Sequence, residues 1–303
     1  MNTTTEIKPT KIIRPFTEAP MEIRLLGRPL DWSIAKLQNP GDGDRPENQD
    51  LVKRLDLITT LENPRKDYTL LAPRPATFNA VICDRFQLNK TVAFGLGFDK
   101  KQWEEYLRPL LMRGVDADGC DVPKGSAFWL SSADCPLILL YDPDTCFLIC
   151  GHGGFECLQD KQTQLTGKRS RPFPSIVDSM MEVIRKHDVP ARRLQYFLTC
   201  GIAEFPISRE QYNKRYEIIV RWAQAMGQDC YTINERGTFI RLGNIIRSQL
   251  RHHGVILRPE DSDGVDTFSD KEKGEHTWWS YERAVLESPD ETLKRNGVMV
   301  IHG

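Results

Sequence analysis

The residues best suited to chemistry lie within one stretch of the chain, residues 131–154, which reads SSADCPLILLYDPDTCFLICGHGG. Cys135 stands just before an apolar run, and His152 follows a second apolar run and is flanked by glycines. A hairpin of this kind returns His152 close to Cys135, although 17 positions separate them (152 − 135). A thiolate and an imidazole at one sheet edge form either a metal site or a nucleophile–base pair.

Two strands must position this pair. The apolar runs predict strands over Leu137–Tyr141 and Cys146–Cys150, and the Asp-Pro between them predicts the turn. Cys146 and Cys150 alternate with apolar side chains, which is typical of packed cysteines. The glycines beside His152 allow a substrate or a backbone segment to come close.

The composition is that of a globular protein and excludes several classes of partner. The 303 residues are 40% hydrophobic and 27% charged, and 41 basic against 42 acidic side chains leave a net charge of −1. This balance gives no overall attraction to nucleic acid or to an anionic membrane. No apolar run approaches the roughly 18–20 residues of a membrane helix. The eight cysteines lack the dense spacing of a disulfide-rich secreted chain, so we expect a cytoplasmic protein with reduced thiols.

The pattern along the rest of the chain predicts an α+β fold, with one domain of mixed β-sheet layered with helices. Residues 1–75 are expected to form an N-terminal extension that is partly loop, and residues 76–303 the domain itself. The polar segments 38–50 and 159–174 are expected at the surface. Further predicted strands lie at 78–83, 91–98, 194–200, 230–233 and 297–301, and predicted helices at 100–111, 175–187, 209–226 and 242–252.

Three segments, in the same order, resemble the YfiH/LACC1 family, once named for laccases and now associated with purine nucleoside chemistry. The first is the stretch 131–154, similar to T-A-D-C-L-P-V-L followed by A-x-H-A-G-W, with a DADG turn at 116–119 ahead of it. The second is LGNIIRSQLRHHGV at 242–255, similar to L-x-x-A-N-R-x-Q-L-x-x-x-G. The third, GVDTFSD…WWSYERA within 264–284, takes the place of L-C-T-Y-C-D…F-x-S-Y-R-R. The resemblance implies a YfiH-like domain over residues 76–303.

The resemblance also implies a zinc site and a substrate. Members of the family hold zinc with a histidine, a cysteine and a second histidine, and Cys135 and His152 match the last two. Both are therefore expected to be metal ligands and catalytic residues, with zinc favoured over copper. Arg85 and Arg247 match arginines of the substrate or phosphate site. The expected reaction is phosphorolysis or deamination of adenosine or inosine, with a purine nucleoside and phosphate as small-molecule partners.

The chain departs from the family pattern at the first histidine ligand. No histidine precedes His152, and LLMRGV at 110–115 takes the place of the family's Q-V-H-G segment. The W-R-G that follows the family's His-Ala-Gly is Phe-Glu-Cys at 155–157. Loss of one ligand in three weakens a catalytic zinc site. The candidates for a substitute ligand are Cys83, Cys120, His276 and a nearby carboxylate.

Three hypotheses follow. The first is a divergent purine nucleoside enzyme of the family type. The second is metal-free hydrolysis, as in an amidohydrolase or deamidase, with Cys135 as nucleophile and His152 as base. The third is an inactive protein of the same shape that has a structural role or binds a protein partner. For Arg85 the alternative to substrate binding is a surface salt bridge, and for Arg247 it is a buried pair that holds its helix.

Overall fold

The computed structural model describes most of the chain after residue 116 and parts of what precedes it. The described residues are 9–17, 19–33, 69–75, 79–85, 111–112, 116–168, 171–258, 261–262 and 264–303. The loop expected at 38–50, the strand at 91–98 and the helix at 100–111, apart from its last residue, lie outside them. The described elements form an α+β fold, which confirms the predicted fold class.

One layer of the fold is a mixed six-stranded sheet. Its strands are β1 (Lys11–Ile13), β2 (Met21–Leu26), β3 (Thr69–Leu71), β5 (Leu111–Met112), β7 (Ser126–Ser132) and β16 (Asn296–His302). They lie in the order β1-β2-β16-β7-β3-β5. β16 runs antiparallel between β2 and β7, whereas β3 is parallel to both of its neighbours.

The second layer is a five-stranded sheet that carries the hairpin found in the sequence. Its strands are β4 (Ile82–Cys83), β6 (Gly119–Asp121), β8 (Leu137–Asp142), β9 (Phe147–His152) and β10 (Gln195–Thr199). They lie in the order β10-β8-β9-β6-β4. Leu139 on β8 packs in the core shared with the six-stranded sheet, and Ile138 packs in the core formed with the helices. Both faces of this sheet are therefore covered, which explains why its strands are apolar throughout.

Helices and two small sheets complete the described part. The helices are α1 (Phe155–Leu158), α2 (Lys161–Thr166), α3 (Ile176–Lys186), α4 (Arg209–Tyr212), α5 (Tyr216–Met226), α6 (Leu242–His252) and α7 (Tyr281–Glu287). The small sheets are formed by β11 (Phe205–Ile207), β12 (Tyr231–Asn234) and β13 (Gly237–Ile240), and by β14 (Lys271–Glu272) and β15 (Glu275–His276). In the part of the chain that the structure describes, no helix has both the length and the apolar character to span a membrane.

Local sequence signals explain where several helices begin and end. The Ser175 side chain accepts a hydrogen bond from the backbone of Asp178, so α3 begins where a capping serine predicts it. The single helix predicted over 209–226 is wrong, because Asn213 takes a φ of 45° and divides it into α4 and α5. Asparagine tolerates this left-handed conformation better than most residues.

The first 75 residues contribute strands to the six-stranded sheet. β2 pairs with β16 along its whole length, from Leu26 opposite Gly297 to Met21 opposite His302. β3 lies beside β7. Residues on both sides of the predicted boundary therefore share one sheet, while the boundary at residue 75 stays a prediction.

Ile23→Ala is expected to destabilise the whole protein by about 2–5 kcal/mol, because it leaves a cavity in a packed core. Ile23 is fully buried on β2 opposite Val300 of β16. The matched control is Ile12→Ala on the edge strand β1, where the side chain is 44% exposed and the cost should stay within about 0.5 kcal/mol. Urea unfolding measures both, and equal effects or a separate transition for the N-terminal strands would contradict the shared core.

The turn between β8 and β9 is held by a buried carboxylate, Asp142. Arg193 donates to its two oxygens at 2.6 and 2.7 Å, and Thr145 also donates to it. Burial opposes the charge of Asp142, but the hydrogen bonds of Arg193 and Thr145 prevail and lower the pKa of the carboxyl. Its stabilising contribution is therefore present above the ordinary carboxyl pKa and is lost as the pH falls through the folded-state value.

Arg193→Gln is expected to lower the melting temperature most at neutral pH. The difference from the wild type should shrink as the pH falls below about 4 toward the lowered pKa of Asp142, because protonation removes the charge that attracts the guanidinium. Arg192→Gln, on the exposed neighbouring arginine, is the control and should change little. Thermal melts between pH 3 and 7 make the comparison, and a difference that does not depend on pH would refute it.

Candidate active site

The β8–β9 hairpin places Cys135 and His152 around one small space. Leu137, two residues after Cys135, pairs directly with His152. A Cβ atom built on Gly154 would lie 3.1 Å from Cys135 Sγ, 3.1 Å from His152 Nε2 and 2.8 Å from His152 Cε1. The thiol is half-buried and the imidazole is buried. Gly154 has φ −64° and ψ 153°, which any residue adopts, so the glycine provides room rather than a special backbone.

The opposite edge of the imidazole faces a carboxylate and a second thiol. Asp118 Oδ1 lies 3.5 Å from His152 Nδ1, and Cys157 Sγ lies 3.6 Å from the same nitrogen. Asp118 stands just before β6, where its Oδ2 accepts the backbone N–H of Ala80 at 2.7 Å. The His152 backbone N–H donates to the Asp118 carbonyl at 2.6 Å, so the two residues are also tied through the main chain.

Asp118, His152 and Cys157 form a buried group that can hold a metal ion. Their ligand atoms all lie within 4.8 Å of one another. Asp118 Oδ1 has no hydrogen-bond partner although it is buried, because 3.5 Å to His152 Nδ1 is too long for a hydrogen bond. Imidazole, thiolate and carboxylate are all zinc ligands. The sequence analysis did not identify Asp118 and Cys157 as ligands of the same metal ion, although Cys157 follows His152 by only five positions.

The substitute ligands named from the sequence lie elsewhere, apart from the carboxylate. Cys83 and Cys120 are paired neighbours on β4 and β6 in the core between the two large sheets. Burial raises the pKa of Cys120 well above its ordinary value. His276 contacts Arg283 Nη1 through Nδ1 at 2.9 Å. The nearby carboxylate that reaches His152 is therefore Asp118.

The charges around His152 compete with its burial. Burial opposes a charge on His152, but Cys135, Cys157 and Asp118 outweigh it, and the pKa of His152 is raised well above its ordinary value. Burial raises the pKa of Cys157 to about 12, although His152 acts in the opposite direction. Cys157 thus keeps its proton near neutral pH unless a metal ion replaces it.

The two predicted arginines occupy different environments. Arg85 follows β4 and donates from Nη1 to Asp121 at 3.0 Å, which is the salt bridge considered as its alternative role. Arg247 on α6 donates from Nε to the hydroxyl of Tyr196 at 3.2 Å and from Nη1 to Asn244 at 3.2 Å. Arg247 therefore has contacts that hold its helix, and it also lines a cavity.

This cavity of about 240 Å³ begins next to the reactive pair, at Pro136. Part of its polar lining comes from the α6 region, which supplies two arginines, Arg241 and Arg247, and one asparagine. The rest comes from the segments opposite them. The polar residues of the lining are Thr199, Arg241, Asn244, Arg247, Ser262 and Asp266. Cys135 and His152 are not part of the lining, so the cavity adjoins the thiol–imidazole pair through Pro136 and does not enclose it.

Comparison with solved structures identifies the fold. No protein-family model and no curated protein matches the chain. The hypothetical protein YfiH of Bacillus licheniformis is 14% identical over 93% of each chain, with a TM-score of 0.57. NMB0706 of Neisseria meningitidis, a DUF152 protein, is 15% identical over 96% of this chain and 97% of its own, with a TM-score of 0.55. YlmD of Geobacillus stearothermophilus is 15% identical over 96% and 94%, also with a TM-score of 0.55.

The chain thus has the YfiH fold, and the resemblance read from the sequence is confirmed. At 14–15% identity the likeness shows the fold and assigns no activity.

Gly154→Ala is expected to slow the alkylation of Cys135 about tenfold or more, because the added methyl group fills the space beside the thiol. The backbone dihedrals at this position suit alanine, but a Cβ 2.8 Å from His152 Cε1 forces the imidazole to shift, so a melting curve of Gly154→Ala accompanies the labelling. Iodoacetamide labelling followed by mass spectrometry of the peptide that contains Cys135 measures the rate.

The labelling needs one background change and one control. Cys146 is also half-buried, and Tyr141 and Lys124 lower its pKa, so all variants should carry Cys146→Ser. Gly243→Ala on α6 is the control, since a Cβ there makes an ordinary 3.4 Å contact with Arg247. An unchanged Cys135 rate in Gly154→Ala would mean that the thiol is approached from another side.

Proposed function

We propose that the protein is an enzyme of purine nucleosides in which His152 transfers protons, at a site that it shares with the Cys135 thiol. The observation that carries the proposal is the arrangement around one imidazole, with a half-buried thiol at one edge and the buried carboxylate of Asp118 at the other. A nucleophile, a base and a group that orients the base form the usual pattern of activated thiol chemistry. The substrate class follows from the resemblance to the YfiH/LACC1 family, and the segment 131–154 that carries part of this resemblance also contains Cys135 and His152.

His152 is the group that moves protons in both candidate reactions. In deamination, which needs neutral His152 and therefore a pH above its raised pKa, water adds to C6 of the purine, His152 takes a proton from it, and the C–N bond breaks as the proton passes to the departing ammonia. In phosphorolysis, a phosphate oxygen attacks C1′ of the ribose, and the glycosidic bond breaks as His152 protonates the departing base. Asp118 stabilises the charged imidazole in either case.

Phosphate would bind in the cavity beside Pro136. Arg247 and Asn244 line it, together with Arg241, whose guanidinium is engaged by Glu204. The guanidinium group of Arg247 matches the geometry of phosphate oxygens. Arg247 is better placed for this role than Arg85, whose guanidinium is engaged by Asp121.

Among the described residues, the group of possible metal ligands around His152 does not include Cys135, so no third protein ligand is found at the thiol edge where the resemblance implies zinc. Cys135 and His152 supply two donors, and the chain has no histidine before residue 152. A catalytic zinc site needs three protein ligands, so the steps above are written without a metal. We also propose a cytoplasmic location, which agrees with the finding that none of the eight cysteines forms a disulfide.

Metal-free amide hydrolysis is the second candidate. It is favoured by the separation of Cys135 from the group of three possible metal ligands at the other edge of the ring. The Cys135 thiolate would attack the amide carbon, the C–N bond would break as His152 protonates the amine, and water would then hydrolyse the thioester.

The proposal is tested by incubating the purified chain with adenosine or inosine, with and without phosphate, and separating the products by chromatography. Hypoxanthine or adenine that forms only with phosphate indicates phosphorolysis, and inosine from adenosine indicates deamination. His152→Ala should lower the rate of either nucleoside reaction about 100-fold or more, and Cys135→Ala should cause a loss of that size only in amide hydrolysis, because only that reaction uses the thiol. Cys146→Ser is the control, since its thiol lies at the turn on the far side of the hairpin and should leave the rate unchanged.

A parallel arm measures the release of ammonia from glutamine peptides. Release that depends on Cys135, with no nucleoside product, would favour the second candidate over the first. No turnover in either arm would leave the inactive protein with a structural or binding role.

A further inference from the structure

We propose that this chain binds a zinc-class metal ion at the edge of His152 that faces away from Cys135, through Asp118 Oδ1, His152 Nδ1 and Cys157 Sγ. This ligand set differs from the one that the resemblance implies, since it uses neither Cys135 nor a second histidine. The inference does not rest on the proposed activity.

The two distances from His152 Nδ1 to the other donor atoms match a tetrahedral site, and the third pair of donors lies within 4.8 Å. Bonds of about 2.0–2.3 Å in a tetrahedron separate neighbouring ligand atoms by about 3.3–3.8 Å. His152 Nδ1 lies 3.5 Å from Asp118 Oδ1 and 3.6 Å from Cys157 Sγ. The first separation is too long for a good hydrogen bond between nitrogen and oxygen, the second is also that of a hydrogen bond to sulfur, and both are those expected of atoms that share one metal ion.

The donor groups themselves are held in place before any metal binds. Ala80 fixes the other oxygen of Asp118, and the backbones of His152 and Asp118 are hydrogen-bonded to each other. The Cys157 backbone N–H donates to the Gly154 carbonyl at 2.8 Å in the first turn of α1. Asp118 Oδ1 is buried without a hydrogen bond, with His152 Nδ1 3.5 Å away, so it is open to coordination by a cation.

The burial of all three donors makes this a closed site. Asp118, His152 and Cys157 are each at most 4% exposed. A metal ion here would join the end of β9 to α1 and to the segment before β6, and it would fix the ring so that Nε2 faces the Cys135 thiol. The metal would hold the hairpin end and orient His152, and the half-buried thiol would remain free of metal.

Cobalt binding to the full chain tests the assignment. The protein is dialysed against a chelator, and Co²⁺ is then added, because a cysteine ligand gives a thiolate-to-cobalt absorption band in the near ultraviolet. The wild type and Cys135→Ser should both show this band. Cys157→Ser should lose it and bind the ion about 100-fold or more weakly, and Asp118→Asn should bind about tenfold more weakly.

Melting curves keep the test decisive if a variant folds poorly. Added Zn²⁺ should raise the melting temperature of the wild type and of Cys135→Ser, and it should not raise that of Cys157→Ser. Loss of the band in Cys135→Ser with its retention in Cys157→Ser would overturn the assignment in favour of the thiol edge. Loss in both variants, or no binding by the wild type, would overturn it as well.

The outcome is separate from that of the activity assay. A chain that binds Co²⁺ through Cys157 and converts no nucleoside refutes the proposed activity and leaves the metal site standing. A chain that converts nucleosides after chelation and binds no Co²⁺ does the reverse.

Discussion

The pairing of β8 with β9 is the constraint on which the rest of the structure depends. A shift of one residue would move every side chain of β8 to the other face of the sheet. Here both faces are covered by apolar layers, so the apolar pattern alone tolerates either register. Polar groups at the two ends of the hairpin select the observed one. Asp142 closes the turn with Thr145 and Arg193, and His152 and Gly153 bond to backbone carbonyls at the open end.

The same register determines the chemistry, because it brings charge into an apolar environment. His152 lies at the end of a strand whose other residues are mostly buried, with Asp118 and Cys157 at one edge of its ring and Cys135 at the other. A buried imidazole and a buried carboxylate are costly unless each is compensated. Asp118 is compensated on one oxygen only. The remaining imbalance must be met by a proton on the imidazole or by a metal ion, and both put positive charge at the same place.

The sequence was a good guide wherever the deciding signal was local. Alternating cysteines and apolar runs predicted both strands of the hairpin, and the periodicity of 242–252 predicted α6 with its observed bounds. The pairing of β2 with β16 could not be predicted, because it joins residues more than 260 positions apart and depends on tertiary contacts. The break at Asn213 depends on one left-handed residue within an otherwise helical pattern.

The candidate site was half predictable for the same reason. Cys135 and His152 are joined by a hairpin that is visible in the sequence. The orientation of the imidazole is not visible there, and it decides that Cys135 meets one edge of the ring while Asp118 and Cys157 meet the other. Residue types alone would place Cys135, His152, Asp118 and Cys157 in one metal site. The orientation of the ring separates them, because Cys135 lies at Nε2 whereas Asp118 and Cys157 lie at Nδ1.

Two departures from the family pattern, the absent histidine and the cysteine at position 157, have one physical explanation. The missing histidine removes a donor from the thiol edge of His152, and Cys157 adds a donor at the opposite edge. A metal ion would therefore bind at Nδ1 of the imidazole in this chain, and not at the Nε2 edge that faces Cys135. Cys135 would then be relieved of metal, and a free thiolate is a far stronger nucleophile than one whose charge is shared with zinc. A metal ion at Nδ1 and a reactive Cys135 thiol are therefore compatible, because the thiol faces the other ring nitrogen, Nε2.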